Sequence, residues 1–340
     1  MLAGSKSKTT KTIALTRRAS VLALCAVRCT AFMAPKKRLP RRAAPAAAKR
    51  PKTTAAAKPK TTGKPAAAKR PKPTGKKKPA PPPLAAPAGW TAEWTMIHEL
   101  RADRTAVVDT MGCERLADPD VSEKDQRYHI LVSLMLSSQT KDTVNAAVMG
   151  VLKAHGLSVD RILDETSEDE FHDMIRPVGF HNVKTKSILA ATRILRDTYD
   201  GDVPNTMEAL LALPGVGPKM ALLVLKVAFD ITAGISVDTH VHRISNQLGW
   251  TGAAPTLDKA AFPCSSPEKT MNALESWVPR EVWSDVNWLL VGLGQEVQTQ
   301  KPKLLRKALA SSDPTYAVAL LGRIGMDCAK VAKAEGLELT

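Results

Sequence analysis

The sequence predicts an all-α protein, on three observations. From Trp90 onward apolar residues recur at helical spacing almost without interruption; runs with the alternation of a strand are scarce; and one sharply turned segment, LPGVGPK at 213–219, separates two helical patterns. The residues before this stretch contribute no core. Residues 1–92 carry 23 Lys or Arg and no Asp or Glu, which leaves 49 − 23 = 26 basic against 33 acidic residues for the rest. The net charge of +16 is therefore a tail of +23 set against a remainder of −7. This excludes a uniformly basic folded domain, so contacts with a polyanion would have to be local there, while the tail could hold nucleic acid nonspecifically.

In chain order, residues 1–33 are rich in Lys, Arg, Ser, Thr and Ala with a short apolar centre, the composition of a transit peptide. A secretory signal is the weaker reading, because Cys25, Cys29, Cys113, Cys264 and Cys328 form no disulfide framework. Met33 precedes APKKRLPRR, so initiation there would expose a basic cluster of nuclear-localisation type, and nucleus and mitochondrion are both expected. Residues 34–92 form an Ala/Pro/Lys-rich basic linker, expected to be disordered, with AAAKRPK at 46–52 recurring at 66–72. It reads as a solvated linker or as an electrostatic tether. No apolar run has the length of a membrane span.

Helices are predicted over 93–109, 124–136, 140–154, 159–163, 167–175, 183–198, 206–213, 218–229, 239–248, 267–277 and 280–292. Asn205 with Glu208 reads as a capping box opening the helix at 206. Pro214, Gly215 and Gly217 then fold the chain back, and Pro218 fits the first position of the next helix, whose apolar face runs through Met220, Leu223, Val224 and Val227. The result is a helix-hairpin-helix with Lys219 in the first turn of its second helix. A helix N-terminus presents free N–H groups and partial positive charge, so Gly215 and Gly217 are candidate phosphate binders and the amine of Lys219 a candidate nucleophile. Such an amine needs a carboxylate to move protons, and Asp238 is the candidate. Asp238 also has the place of an ordinary N-cap, ahead of the apolar face Val241, Ile244, Leu248. His240 and His242, two residues apart, face different ways and do not make a metal pair. After residue 300 comes a basic start (Lys301, Lys303, Arg306, Lys307), then an apolar helical pattern with Val318, Leu320, Leu321 and Ile324.

The hairpin with its lysine, VDTHVHR at 237–243, LMLSSQTKD at 134–142 and PVGFHNVK at 177–184 together resemble the endonuclease III family, the bifunctional DNA glycosylase/AP lyases of the helix-hairpin-helix glycosylase superfamily. The likeness extends over about 94–295. It implies two helical lobes around an interlobe DNA-binding cleft: a central domain at 125–230, a second lobe from 93–124 and 231–312, and a divergent C-terminal tail at 313–340. It implies removal of oxidised pyrimidines from duplex DNA, with Lys219 forming the covalent Schiff base, Asp238 assisting, and strand cleavage by β-elimination. Gln139, and Phe180 with His181, would enter the duplex, and Asp142 would touch the lesion. Beside these stand plainer readings: Gln139 as a loop or cap residue, Phe180 as a core aromatic, Asp142 as a solvated helix carboxylate. The implied partner is double-stranded DNA with damaged bases or abasic sites, bound by a monomer, with no membrane and no protein partner legible.

Two alternatives remain open, an 8-oxoguanine-type glycosylase/lyase and a noncatalytic helix-hairpin-helix DNA-binding protein. The resemblance breaks at the C-terminus. Most members carry C-x6-C-x2-C-x5-C, which ligates a [4Fe–4S] cluster; aligned on LLVGLGQ at 289–295, those positions fall near Gln298, Leu305, Ala308 and Pro314, so no cofactor is expected. Either the replacement tail packs in the cluster's place or it is foreign to the fold.

Overall fold

Side-chain caps start most of the helices. In the computed structural model, residues 83–339 are described; the transit-peptide and Met33 readings and the linker up to residue 82 lie outside the described residues, whereas the end of the expected linker is ordered, with Leu84 N–H on the Ser276 hydroxyl at 3.1 Å and the first helix starting at Trp90. The α-helices among them are α1 (Trp90–Leu100), α2 (Val107–Met111), α3 (Glu123–Ser137), α4 (Asp142–His155), α5 (Val159–Asp164), α6 (Glu168–Ile175), α7 (His181–Tyr199), α8 (Met207–Leu211), α9 (Pro218–Phe229), α10 (Thr239–Gln247), α11 (Pro267–Glu275), α12 (Trp283–Thr299), α13 (Lys301–Leu309), α14 (Pro314–Arg323) and α15 (Cys328–Glu335). Ser122, Ser158, Ser167, Asp238, Ser266, Asp313 and Asp327 each accept a backbone N–H of the helix they precede. No strand occurs among the described residues, so the chain is all-α.

Three expectations are corrected. The helix expected at 206 is capped by Thr206, whose hydroxyl accepts Ala209 N–H, and not by an Asn205–Glu208 box. The helix expected over 280–292 begins as a 3-10 turn, Arg280–Val282, and α12 then runs on to Thr299. The helix expected over 93–109 breaks in two. Its cause is the Arg101 guanidinium, which is fully buried and bonds Glu296 at 2.9 Å and both oxygens of Asp109 at 2.7 Å. To reach them the chain turns after Leu100 with Arg104 at φ 46°, and Asp109 accepts Ala106 N–H at 2.8 Å to start α2. Gly292 on α12 makes the room, since a Cβ there would lie 2.1 Å from an Arg101 nitrogen.

The apolar side chains gather into two separate cores. One is built on α3, whose Tyr128, Leu131 and Leu136 pack with Met149 of α4, Phe171 of α6, Leu195 of α7 and Val224 of α9. The other joins Ile97 of α1, Ile244 of α10 and Leu289 of α12 to Leu305 of α13 and Leu321 of α14. Chain beyond residue 312 thus belongs to the second core. Its charges are used there as well. Lys307 bonds Glu296 at 3.0 Å and Asp103 at 2.6 Å, Arg306 pairs with Glu335 at 2.5 Å, and Arg323 pairs at 2.6 Å with Glu93, which also holds the Trp250 indole.

If α14 is part of this core, Leu321→Ala should cost about 2–5 kcal/mol in urea unfolding. Leu211→Ala, at a side chain 42 % exposed, should stay within about 0.5 kcal/mol. Equal midpoints for Leu321→Ala and the parent would remove the tail from the core.

Candidate functional site at two helix N-termini

The hairpin turn is held from behind by Leu213 and Val216, both buried in the α3 core. Gly215 takes φ +83°, and a Cβ there would lie 2.8 Å from Cβ of Ser187 on α7, so conformation and close approach both require glycine. Val216 N–H bonds the Leu213 carbonyl, whereas the N–H groups of Gly215 and Gly217 have no partner among the described residues. Pro218 starts α9, which buries Ala221, Leu222, Val224 and Leu225; of the apolar face expected from sequence, Met220, Leu223 and Val227 pack at its margin. Lys219 is exposed in the first turn, with no carboxylate among the described residues within ion-pair distance.

Asp238 stands at the start of α10 on the other core. Its approach is anchored by buried Ile235 and Val237, by Ile235 N–H on a Glu275 carboxylate oxygen at 2.7 Å, and by the Asn287 amide on the Ser236 carbonyl at 2.8 Å. One carboxylate oxygen, Oδ1, accepts the N–H groups of His240 and Val241, each at 2.8 Å. The other oxygen has no hydrogen-bond partner among the described residues. The cap thus occupies one oxygen of the carboxylate and leaves the second uncommitted.

His240 is the second residue of α10. Burial pushes its pKa below the usual 6.5, opposed by the Asp238 charge, and Arg243, Lys219 and Asp142 act on the same ring. The side chains from the two cores therefore share one electrostatic neighbourhood. Gly294 of α12 lets the ring in, since a Cβ there would fall 2.3 Å from its Nδ1. His242 instead meets the Thr270 hydroxyl at 2.7 Å. Asp142, in the first turn of α4, is half-buried, and its Oδ2 accepts the Gln295 amide of α12 at 2.8 Å while the Gln295 carbonyl accepts Val108 N–H at 2.8 Å. It is thereby a tie between helices of the two cores and no freely solvated carboxylate.

Two loops lie beside the hairpin. Gln139 and Phe180 are both exposed and both left-handed, at φ 52° and 59°, and a Cβ on Gly179 would sit 2.4 Å from the Gln139 carbonyl oxygen, so the loops pack back to back. Phe180 is 66 % exposed, which corrects the core-aromatic reading. His181 opens α7 and meets the His172 ring at a tilt of 56° with centroids 4.9 Å apart. Sequence reasoning passed over Lys184, Gln295, Gly292 and Gly294. The signals were a lysine on a helix face otherwise buried (Thr185, Ile188, Leu189) and two glycines and a glutamine inside an apolar helix.

Residues 132–280 match the family described as HhH-GPD superfamily base excision DNA repair protein. Endonuclease III-like protein 1 of Bos taurus is 49 % identical over 210 residues, 62 % of this chain and 66 % of that protein; the protein of the same name from Gallus gallus is 45 % identical over 217 residues, 64 % of this chain and 74 % of that one. The chain belongs to the endonuclease III family. A solved non-covalent endonuclease III–DNA complex is also similar, at 25 % identity and TM-score 0.48, covering 60 % of this chain and 85 % of that one. For the [4Fe–4S] cluster usual in this family, the side chains do not fit: Leu305 and Ala308 are fully buried apolar residues where thiolates would be needed. Among the described residues the thiols are those of Cys113, Cys264 and Cys328, and no group of three or more His, Cys, Asp or Glu could hold a metal.

Alanine ordinarily stabilises a helix by up to about 1 kcal/mol relative to glycine. At Gly294 the overlap with His240 should reverse the sign, so Gly294→Ala is expected to lose about 1–3 kcal/mol of stability. A more stable variant in thermal unfolding would show that the ring is not held against α12.

Proposed function

We propose that this protein is a DNA glycosylase and AP lyase of base excision repair, acting on oxidised pyrimidines in duplex DNA as a monomer. The observation that carries the reading is the pair of helix N-termini: an exposed amine on one, and on the other a carboxylate with one oxygen fixed and one free. A base inside the stack is out of reach, so the nucleotide is flipped, at a cost of a few kcal/mol that is least for a damaged pair. The unpaired N–H groups of Gly215 and Gly217 take a backbone phosphate, and Gln139 and Phe180 enter the gap, the amide meeting the edge of the estranged base and the ring holding the stack apart. With residues 93–340 net negative, such local donors supply the specific grip and the basic tail adds a salt-sensitive one.

Lys219 Nζ attacks C1′ of the sugar, and the glycosidic bond breaks with its electron pair leaving on the base, which takes up a proton. Loss of the amine's proton and opening of the ring at O4′ leave an iminium between C1′ and Nζ. Removal of a C2′ proton sends electrons toward the iminium and expels the 3′ phosphate, and water then releases the lysine. The free oxygen of Asp238 faces the positive charge that develops at C1′ and exchanges these protons. Asp142, already bonded to Gln295, has one oxygen left for the lesion.

Borohydride reduces the iminium to a stable amine. On duplex DNA with thymine glycol or an abasic site, the parent should give a covalent adduct and Lys219→Gln none. Preference for 8-oxoguanine would change the lesion class, and DNA binding without an adduct on any substrate would make the protein a noncatalytic hairpin module.

A further inference from the structure

One buried charge is used by none of these steps. Lys184, in the first turn of α7, is 7 % exposed, and its ammonium donates to the Leu136 carbonyl at 2.7 Å, the Ser138 carbonyl at 2.5 Å and the Thr140 hydroxyl at 3.1 Å. It has no carboxylate partner, and burial alone holds its pKa down to about 8. A charge is seldom buried unpaired unless its geometry is needed. Here three donor hydrogens meet three acceptors, all around the C-terminal end of α3, and Gln139 lies between the two outermost.

Gln139 is costly to hold. A non-glycine residue in the left-handed region is strained and persists only when its surroundings over-determine it. From one side Gly179 backs onto its carbonyl; from the other, Lys184 fixes the residues before and after it. Because Lys184 sits one turn after Phe180, the same side chain couples both exposed loops, which with Gly215 enclose a cavity of about 310 Å3.

We propose that Lys184 is a positioning residue for duplex opening: its ammonium locks the Gln139 loop against the Phe180 loop so that the two enter the base stack as one rigid wedge. The inference rests on the glycosylase/lyase reading and predicts a split between substrates. An abasic site in single-stranded DNA needs no wedge, whereas a paired lesion does.

The test compares the parent, Lys184→Met, Gln139→Ala, their double variant, and Thr140→Val, which removes one acceptor and little volume. Single-turnover excision from a paired thymine glycol should fall about 10²-fold in Lys184→Met, the size expected of a misplaced reacting geometry. It should fall less in Thr140→Val, while cleavage of a single-stranded abasic site stays within about twofold of the parent. In the Gln139→Ala background the lysine change should add little, because both act on one wedge. Equal losses on both substrates in Thr140→Val, or additive losses in the double variant, would overturn the proposal. Failure of the parent to cleave an abasic site in duplex DNA would instead count against the glycosylase/lyase reading itself.

Discussion

Lys219 and Asp238 can act on one nucleotide only if two helices with different hydrophobic anchorage begin at the same place. Each of the two side chains lies at or beside the first turn, where N–H groups are unspent and partial positive charge gathers. Behind it the helix is buried, α9 in the core around α3 and α10 in the core around α12. The charges of both reach the His240 ring, and Gln295 ties Asp142 and Val108 across the same region. Such a site inherits its precision from cores and not from loops, which is what amine chemistry at a single carbon requires.

The second core is filled with apolar side chains at two of the positions where the family's iron–sulfur ligands would align, Leu305 and Ala308. In place of thiolates, α13 brings Leu304, Leu305 and Ala308 inward and α14 adds Leu320 and Leu321, all essentially inaccessible to water. Charges close the join. Lys307 completes the cluster of Arg101, Glu296 and Asp109, and removing one partner of such a buried set costs more than an exposed pair would. Of the basic start of this tail only Lys307 is drawn in, whereas Lys301, Lys303 and Arg306 stay exposed. Arg243 adds one more link, donating to the Ile324 carbonyl at 3.0 Å from the segment that follows Asp238.

Much of this was legible in the chain. The hairpin, the first-turn lysine and the aspartate before α10 follow from local rules, since Pro and Gly restrict the backbone and caps announce helix starts. What stayed hidden depends on long-range packing. No local signal says that Arg101 will bury itself and break a helix, that Gly294 receives His240, or that Lys184 will reach back to α3. The caps also misled at Asn205, where Thr206 was equally able to serve and sits where the chain turns. Phe180 could be core or wedge on sequence, and its exposure together with its left-handed backbone removes the first choice.

The proposed reaction turns on which amine becomes covalent with the sugar. The most direct measurement is peptide mapping by mass spectrometry after borohydride reduction of the protein on duplex DNA and nuclease digestion of the adduct. The account predicts the reduced deoxyribose remnant on Lys219 alone. A remnant on Lys184, Lys186 or Lys259, with Lys219 unmodified, would contradict it.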